Sequence, residues 1–422
     1  MRKWAFLLLG LSLLGQGCSE ERTVAPTAET ESPGLDAQAA AWSLVGEANW
    51  PVEVEAQVDR PMSRNQALPT IGFTRTQIAG DIAHYSLEVP VGPGAYDRIR
   101  VHRVVRERHP YVPIRTNDAV FLQHGASKDF SGMYLPGQVS PETPADFGLA
   151  VYLAERDLDV WGVDQAWNLA PPDLPDYAFM AGWGMQKQID DLRFAIQVAR
   201  FTRRITGNGN GKLTLLGYSL GAQIGYGYMN EETQLPPGRR QVDAFIPVDF
   251  PAKTDSGDLT ALFEGAREYA LGQLDAGVYG ESGGMREFGL FAQGDPDGDS
   301  PLIPGFTNLQ AALFLGAGPI FGGDLTFHYL AGVWDEIPVE LQFVGTDAWL
   351  DFLVAAAAAE PNQLTVDQAD FLLGDSTPWD DNFREITAPV LYVGANGGIG
   401  SLARIIHEGE RQKGPPMVEE EC

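Results

Sequence analysis

A segment in which a serine lies between two glycines, after an apolar run and before a helical pattern, constrains the fold more than any other part of the chain. Residues 213–216 form a short apolar run, typical of a strand buried on both faces of a sheet. The sequence Gly-Tyr-Ser-Leu-Gly follows at 217–221, and residues 222–228 then form a helical pattern. A strand that turns directly into a helix leaves no room for side chains, so small residues are needed on both sides of the turn. The segment therefore predicts a sharp strand–turn–helix with Ser219 at its apex.

Further apolar runs indicate the sheet to which this strand belongs. Residues 119–122, 244–248 and 390–393 are short and continuously apolar, and residues 158–161 form a weaker run. Residues 185–205 lie between two of these runs and carry apolar side chains near helical spacing. Strands that alternate with helices predict an α/β fold, in which a mostly parallel central sheet has helices on both faces.

Two regions depart from this alternation. Residues 82–89 and 99–105 alternate in polarity around a Gly-Pro-Gly turn, which predicts an antiparallel hairpin at the start of the core. Residues 252–385 contain helical stretches such as 259–274 and 347–360, separated by loops rich in Gly, Pro and Asp. We interpret this region as a large, mainly helical cap insertion. It divides the α/β core into residues 42–251 and residues 386–422.

Composition limits the partners and cofactors. The chain has 57 acidic and 29 basic residues, a formal net charge of −28. Such a surface repels phosphate backbones, so we expect no nucleic-acid partner. The sequence contains no Gly-Lys-Ser/Thr phosphate loop and no Cys/His cluster, so we expect neither a cofactor nor a metal. The two cysteines lie near opposite ends, and we expect no internal disulfide.

The first residues have the pattern of an export signal. Arg2 and Lys3 precede an apolar run at 5–14 that is too short to span a bilayer as a stable helix. The following Gly-Gln-Gly-Cys resembles a bacterial lipoprotein signal, although Gly and Gln replace the usual residues before the cysteine. The resemblance implies that residues 1–18 are a signal peptide and that Cys18 is lipidated. An ordinary cleaved signal would instead give a secreted or periplasmic protein.

The next segment, residues 19–41, is rich in Glu, Thr, Ala and Pro. Because it has few large apolar side chains to bury, we interpret it as a flexible tether. A lipid on Cys18 would then be the only contact with a membrane that we expect.

A second motif makes a family resemblance specific. The apolar run at 119–122 ends in Gln-His-Gly-Ala at 123–126. A strand that ends in His-Gly, followed later by Gly-x-Ser-x-Gly, resembles the α/β-hydrolase superfamily. The resemblance implies that Ser219 is the nucleophile and that the backbone N–H groups of Ala126 and Leu220 bind the oxyanion. His124 is expected to shape this loop rather than to act as the base.

The resemblance is incomplete for the acid and the base. Family members carry the acid after a late strand, but residues 394–398 after the run at 390–393 contain no carboxylate. Asp249 follows the preceding strand, where some members place the acid, and it is our candidate. Only His328 and His407 follow the serine. His407 is our candidate base, although it lies in a helical pattern and no last strand is visible in the polar tail after it.

These observations predict an exported serine esterase that acts on a small-molecule or lipid ester. Two alternatives stay open. One is a non-catalytic binding protein on an α/β-hydrolase scaffold, and the other is a truncated hydrolase that lacks its histidine. The sequence Gly-Glu-Ser-Gly-Gly at 280–284 also matches the serine motif, but no apolar run precedes it.

Overall fold

The computed structural model describes residues 72–209, 211–254, 256–282, 284–317, 332–335, 337–374, 377–394 and 418–421. The strands are β1 (Phe73–Ala79), β2 (Ile82–Pro90), β3 (Arg98–His109), β4 (Val112–Pro113), β5 (Ala119–Gln123), β6 (Asp159–Asp164), β7 (Leu213–Tyr218), β8 (Val242–Val248), β9 (Gly280–Glu281), β10 (Gly332–Asp335), β11 (Ile337–Leu341), β12 (Glu360–Pro361), β13 (Leu391–Gly394) and β14 (Val418–Glu421). The α-helices are α1 (Phe130–Tyr134), α2 (Leu149–Ala154), α3 (Met185–Ile205), α4 (Leu220–Glu232), α5 (Gly257–Asp275), α6 (Met285–Gly294), α7 (Asn308–Ala317), α8 (Thr346–Val354) and α9 (Asn362–Leu373).

The central sheet has the order β1-β2-β3-β6-β5-β7-β8-β13-β14, and β4 pairs with β3. The strands β1, β2 and β3 are antiparallel, and β3 pairs antiparallel with β6. From β6 to β14 every pair is parallel. The mostly parallel α/β sheet and the antiparallel hairpin are therefore confirmed. The carboxyl ends of the parallel strands meet at one edge, which is where ligands bind in folds of this kind.

Helices cover both faces of this sheet. On one face Ile189 and Leu192 of α3 belong to the same buried cluster as Phe121 and Leu215 of the sheet. On the other face, α1 and α2 pack against alternate residues of the same strands, such as Leu122. Helix α3 has the predicted bounds because its apolar residues recur at helical spacing. No helix within the described ranges is long and apolar enough to cross a membrane.

Residues 252–385, which we interpreted as an insertion, contain the helices α5 to α9 and a small hydrophobic core around Phe288, Leu313 and Trp349. The predicted helix at 347–360 is too long, because α8 ends at Val354 and the alanines at 355–359 are not helical. The N–H of Ala357 instead donates to the carbonyl of Ser127 in the core, at 2.9 Å. A tertiary contact thus takes the place of the helical hydrogen bond.

The tail of the chain corrects a second expectation. No last strand was visible in the sequence, yet β14 pairs in parallel with β13, with Leu391 opposite Val418. This pairing places β14 at the edge of the sheet beyond β13. Four residues with three glutamates have no strand-like alternation, so the sequence offers no local signal for this strand. Cys18, His328 and His407 lie outside the described residues.

Candidate active site

Ser219 lies at the sharp turn between β7 and α4. Its backbone has φ 53° and ψ −122°, a conformation that costs a non-glycine residue about 1–3 kcal/mol. The flanking glycines are required by space. A Cβ on Gly217 would lie 2.3 Å from the carbonyl oxygen of Gly221, and a Cβ on Gly221 would lie 2.4 Å from that of His124. The predicted strand–turn–helix is confirmed, and it holds a buried serine at the carboxyl edge of the sheet.

The His-Gly pair after β5 lies directly beside this turn. A Cβ on Gly125 would come within 3.1 Å of the Cβ of Ser219. His124 is buried, and both of its ring nitrogens are engaged. Its Nδ1 donates to the carbonyl of Gly125 at 2.8 Å, and its Nε2 accepts from the N–H of Gln165 at 3.3 Å. Burial also lowers the pKa of His124, so its ring is neutral and shapes the loop, as expected.

Two buried backbone N–H groups near Ser219 have no acceptor among the described residues, one in the loop after β5 and one at the start of α4. Within the described part of the chain, neither the N–H of Ala126 nor that of Leu220 donates to a backbone or side-chain oxygen. Both residues are less than a tenth exposed. Buried N–H groups are almost always paired, because an unpaired one costs about as much as a lost hydrogen bond. Leu220 follows Ser219, and Ala126 follows Gly125, which packs against Ser219, so the two groups are suited to hold an anionic oxygen.

The loop after β5 is also tied to the helical insertion. Ser127 has a left-handed backbone with φ 60°, its N–H donates to a carboxylate oxygen of Glu360, and its carbonyl accepts from Ala357. The amine of Lys128 donates to the carbonyl of Phe352 at 2.5 Å and lies 3.5 Å from the centre of its ring. The insertion therefore fixes the backbone just beyond Ala126.

Of the ionisable groups at this contact, Lys128 is fully buried and Glu360 is partly buried. Burial lowers the pKa of Lys128 well below its usual value, and the charges of Asp129 and Glu360 oppose that shift only in part. Burial likewise raises the pKa of Glu360, against the hydrogen bond from Ser127 and the charge of Lys128. The Lys128 side of this contact is thus shielded from water, which strengthens its hydrogen bond to Phe352.

Asp249 lies on the opposite side of Ser219, at the end of β8. The N–H of Ser219 donates to the carbonyl of Val248 at 3.0 Å, so Asp249 is the next residue across the sheet. Its own N–H donates to Val393 of β13 at 2.7 Å, and its φ is 54°. Burial, and then the negative charge of Asp249, raises the pKa of Tyr392 well above 10. Asp249 is therefore a buried carboxylate beside the serine turn, on the side away from the Ala126 loop.

None of the histidines in the described ranges is placed to serve Ser219. His84 and His102 bond to each other at 2.8 Å on β2 and β3. His109 ends β3, whose antiparallel direction places it at the opposite edge of the sheet from Ser219. His124 has both nitrogens engaged. His407, the candidate base, lies outside the described residues. In the same ranges no group of His, Cys, Asp or Glu is arranged to hold a metal ion.

The second serine motif has a different geometry. Ser282 follows the two-residue strand β9, and its hydroxyl donates to Glu287 at 2.7 Å while accepting from the N–H of Gly284. These bonds belong to the turn before α6, in which Gly284 has a left-handed backbone conformation and caps the helix. Ser282 is thus a structural serine of the insertion.

No protein-family model matches the chain, and no curated protein matches it. Among solved structures, a candidate lipase from Sulfolobus solfataricus matches with a TM-score of 0.56 and 16% identity, over 84% of this chain and 91% of that one. The chain has the α/β-hydrolase fold. At this identity the likeness shows the fold alone.

Further solved structures match less well. A carboxylesterase from Nitrososphaera gargenis is 12% identical over 83% of this chain and 90% of that one, with a TM-score of 0.37. Brefeldin A esterase, a bacterial homologue of human hormone-sensitive lipase, is 12% identical over 94% and 79%, with a TM-score of 0.39. Scores this low carry no argument.

Sequence reasoning missed the supports of this loop. Glu360 is 233 residues from Ser127, so no local pattern could join them. Asp164, at the end of β6, also supports the loop, through its bond to Phe130. A signal for Asp164 was present, since it ends an apolar strand as a buried carboxylate, much as Asp249 follows β8.

Proposed function

We propose that the protein is an exported serine hydrolase that cleaves a carboxylic ester through an acyl-enzyme on Ser219. The buried N–H groups of Ala126 and Leu220 near the strained serine carry the proposal, since neither has an acceptor among the described residues. Donors aimed at a developing oxyanion are usually the largest single contribution to acyl-transfer catalysis.

The reaction would proceed in two steps. The hydroxyl oxygen of Ser219 attacks the ester carbonyl carbon, and the base takes the serine proton. The carbonyl oxygen becomes an oxyanion that accepts hydrogen bonds from Ala126 and Leu220. Collapse of this intermediate breaks the bond to the alcohol, which leaves with the proton from the base. Water then attacks the acyl-enzyme by the same route and releases the carboxylic acid.

The proton transfers need a base and an acid that orients it. We assign the base to His407 and the acid to Asp249. The position of Asp249 after β8, one residue across the sheet from Ser219, supports its part. The four histidines in the described ranges either bond to other groups or lie far from Ser219. His328 and His407 are therefore the remaining choices for the base.

The location of the protein belongs to the same proposal. The signal-like residues 1–18 would direct export, Cys18 would carry the lipid, and residues 19–41 would link the anchor to the core. The mass of the mature N-terminus tests this. A diacylated cysteine at the first position supports anchoring, and an unmodified cleaved end would instead make the protein secreted or periplasmic.

A binding protein on the same scaffold is the second candidate. The observation in its favour is that none of the histidines in the described ranges serves Ser219. In such a protein the serine turn would be retained for its packing, and the N–H pair would bind the carboxylate or carbonyl of a ligand without cleaving it.

Labelling with a fluorophosphonate separates the two candidates. This reagent is attacked only by an activated serine, and intact and peptide masses locate the adduct. We expect stoichiometric labelling at Ser219 that is lost in Ser219→Ala. The matched control is Ser282→Ala, which removes the other motif serine and should label normally. Absence of labelling in folded protein would contradict the hydrolase and leave the binding role.

A further inference from the structure

We infer that Asp164 and Gln165, at the end of β6, position the oxyanion-binding loop by holding it at both ends. The loop in question is residues 124–130, which contains Ala126. The inference rests on the proposed function for the chemical role of the Ala126 N–H. The positioning itself is a property of the described contacts and can be tested without activity.

The two consecutive residues bond to opposite ends of the loop. The N–H of Gln165 donates to Nε2 of His124 at 3.3 Å, at the start of the loop. Oδ1 of Asp164 accepts from the N–H of Phe130 at 2.7 Å, at its end. Both Asp164 and Gln165 are fully buried. Ala126 lies between the two attachment points, so the aim of its N–H depends on both.

Asp164 is itself fixed by the neighbouring strand β3. Its Oδ2 lies 3.0 Å from Nε2 of His102 and 3.4 Å from Arg100. Nδ1 of His102 in turn lies 2.8 Å from Nε2 of His84. Burial alone would raise the pKa of Asp164, but the hydrogen bond and charge of His102, together with Arg100, outweigh it and lower that pKa. The carboxylate is therefore ionised, with one oxygen held and the other aimed at the loop.

The ring of Phe130 restrains the same attachment point. It stacks on His102 with centroids 4.5 Å apart and an angle of 9°. It also covers Gly162 of β6, where a Cβ would come within 2.2 Å of the ring. Backbone and side chain of Phe130 are thus both tied to the β3–β6 pair, and this fixes where the loop ends and α1 begins.

A buried aspartate at the other end of the same strand provides the matched control. Asp159 begins β6 and bonds to Arg103 at 2.7 Å and to Arg203 at 2.6 Å. Like Asp164 it is fully buried and lies within salt-bridge distance of an arginine. It lies at the edge of the sheet away from Ser219, because β6 runs parallel to β7 through β5. Its loss should weaken the fold without moving the loop.

The first experiment compares Asp164→Ala, Asp164→Asn and Asp159→Asn in the full chain, with an ester that the wild type cleaves. We expect Asp164→Ala to lower kcat about tenfold or more, since loss of an oxyanion donor costs up to about 100- to 1,000-fold, with KM nearly unchanged. Asn keeps an oxygen that can accept from Phe130, so Asp164→Asn should be partly rescued. Asp159→Asn should lower Tm but not kcat.

A second pair isolates the bond at the other end of the loop. Gln165 has φ −64° and ψ 155°, values that proline adopts without strain. Gln165→Pro removes the N–H that donates to His124, whereas Gln165→Ala keeps it, and both lose the side-chain amide. We expect kcat to fall several-fold more in the proline variant. If Asp164→Ala does not fold, this pair still tests the inference.

Hydrogen exchange of the peptide at 124–134 separates this inference from the proposed function. We expect Asp164→Ala and Gln165→Pro to speed exchange there, and Asp159→Asn not to. Faster exchange in a protein without esterase activity would support the positioning and contradict the hydrolase. Unchanged exchange, or a kcat equal to that of the controls in an active enzyme, would overturn the positioning.

Discussion

The two sides of Ser219 are built in different ways. Towards β5 and β6, the loop at 124–130 is bonded to the end of β6, and the helical insertion bonds to it at Ser127. Towards β8 and β13, Asp249 is held through its backbone, whose N–H donates to the carbonyl of Val393. One side thus presents backbone amides, and the other presents a carboxylate side chain.

Under the proposed function, this difference follows from what each side has to supply. Oxyanion binding uses N–H groups, which every residue has, so it depends on backbone geometry and little on residue type. Acid–base chemistry needs a particular side chain at a particular place, and loops outside the sheet bring it there. We therefore expect substitutions that add volume or alter the backbone to affect the loop at 124–130 most. On the other side, replacing the carboxylate of Asp249 should have the larger effect.

Asp249→Asn should have the largest effect on the acid–base side. If Asp249 orients the base, the amide would favour the wrong tautomer, and kcat should fall by about 100-fold or more while KM changes little. Ester hydrolysis at saturating substrate measures this. The control is Asp243→Asn on the same strand, where the aspartate is exposed. Equal rates for the two variants would remove Asp249 from the mechanism.

Gly125→Ala tests the backbone side and should have a smaller effect. The added Cβ would lie 3.1 Å from the Cβ of Ser219 and from the ring and carbonyl of Tyr218. We expect a loss of about 1–3 kcal/mol in the free energy of unfolding. A fall in kcat of about tenfold should accompany it as the loop shifts.

Denaturant unfolding and kinetics on the same preparations check this prediction. Gly238→Ala is the matched control, because its Cβ would have no neighbour within 4 Å. A Gly125→Ala variant with wild-type kcat would show that the loop and the serine turn are not coupled by volume.

Asp129→Asn should have the smallest effect, and it concerns pH. Burial, and then the charge of Asp164, raises the pKa of Asp129 from 3.8 to about 6, although His102 and Lys128 oppose the shift. A raised pKa in the folded state means that this carboxyl contributes stability at low pH and loses it as the pH rises through about 6. Asn still accepts from the N–H of Gly132, as Asp129 does now.

Thermal unfolding of both proteins across this range measures the effect. The Tm of Asp129→Asn relative to wild type should rise as the pH increases from about 4 to about 7, because only the wild type has a carboxyl to ionise there. A difference that does not change with pH would mean that Asp129 titrates normally.

Local patterns predicted the sheet and the serine turn well. Apolar runs, helical spacing and the two glycines around Ser219 act over a few residues, and the structure confirms each of them. The same reasoning made α8 too long and saw no strand in the tail. In both places a long-range partner decides the backbone, Ser127 for the alanines after α8 and β13 for β14.

The sequence by itself determined that a strained serine ends a buried strand and that a His-Gly turn follows another, because both depend on sterics within a few residues. Only the tertiary structure decided that these turns meet and what holds them. Asp164 reaches Phe130 across 34 residues and Glu360 reaches Ser127 across 233. Such contacts depend on which strands are neighbours and on where residues 252–385 pack against the sheet domain. Local sequence periodicity predicts neither of these.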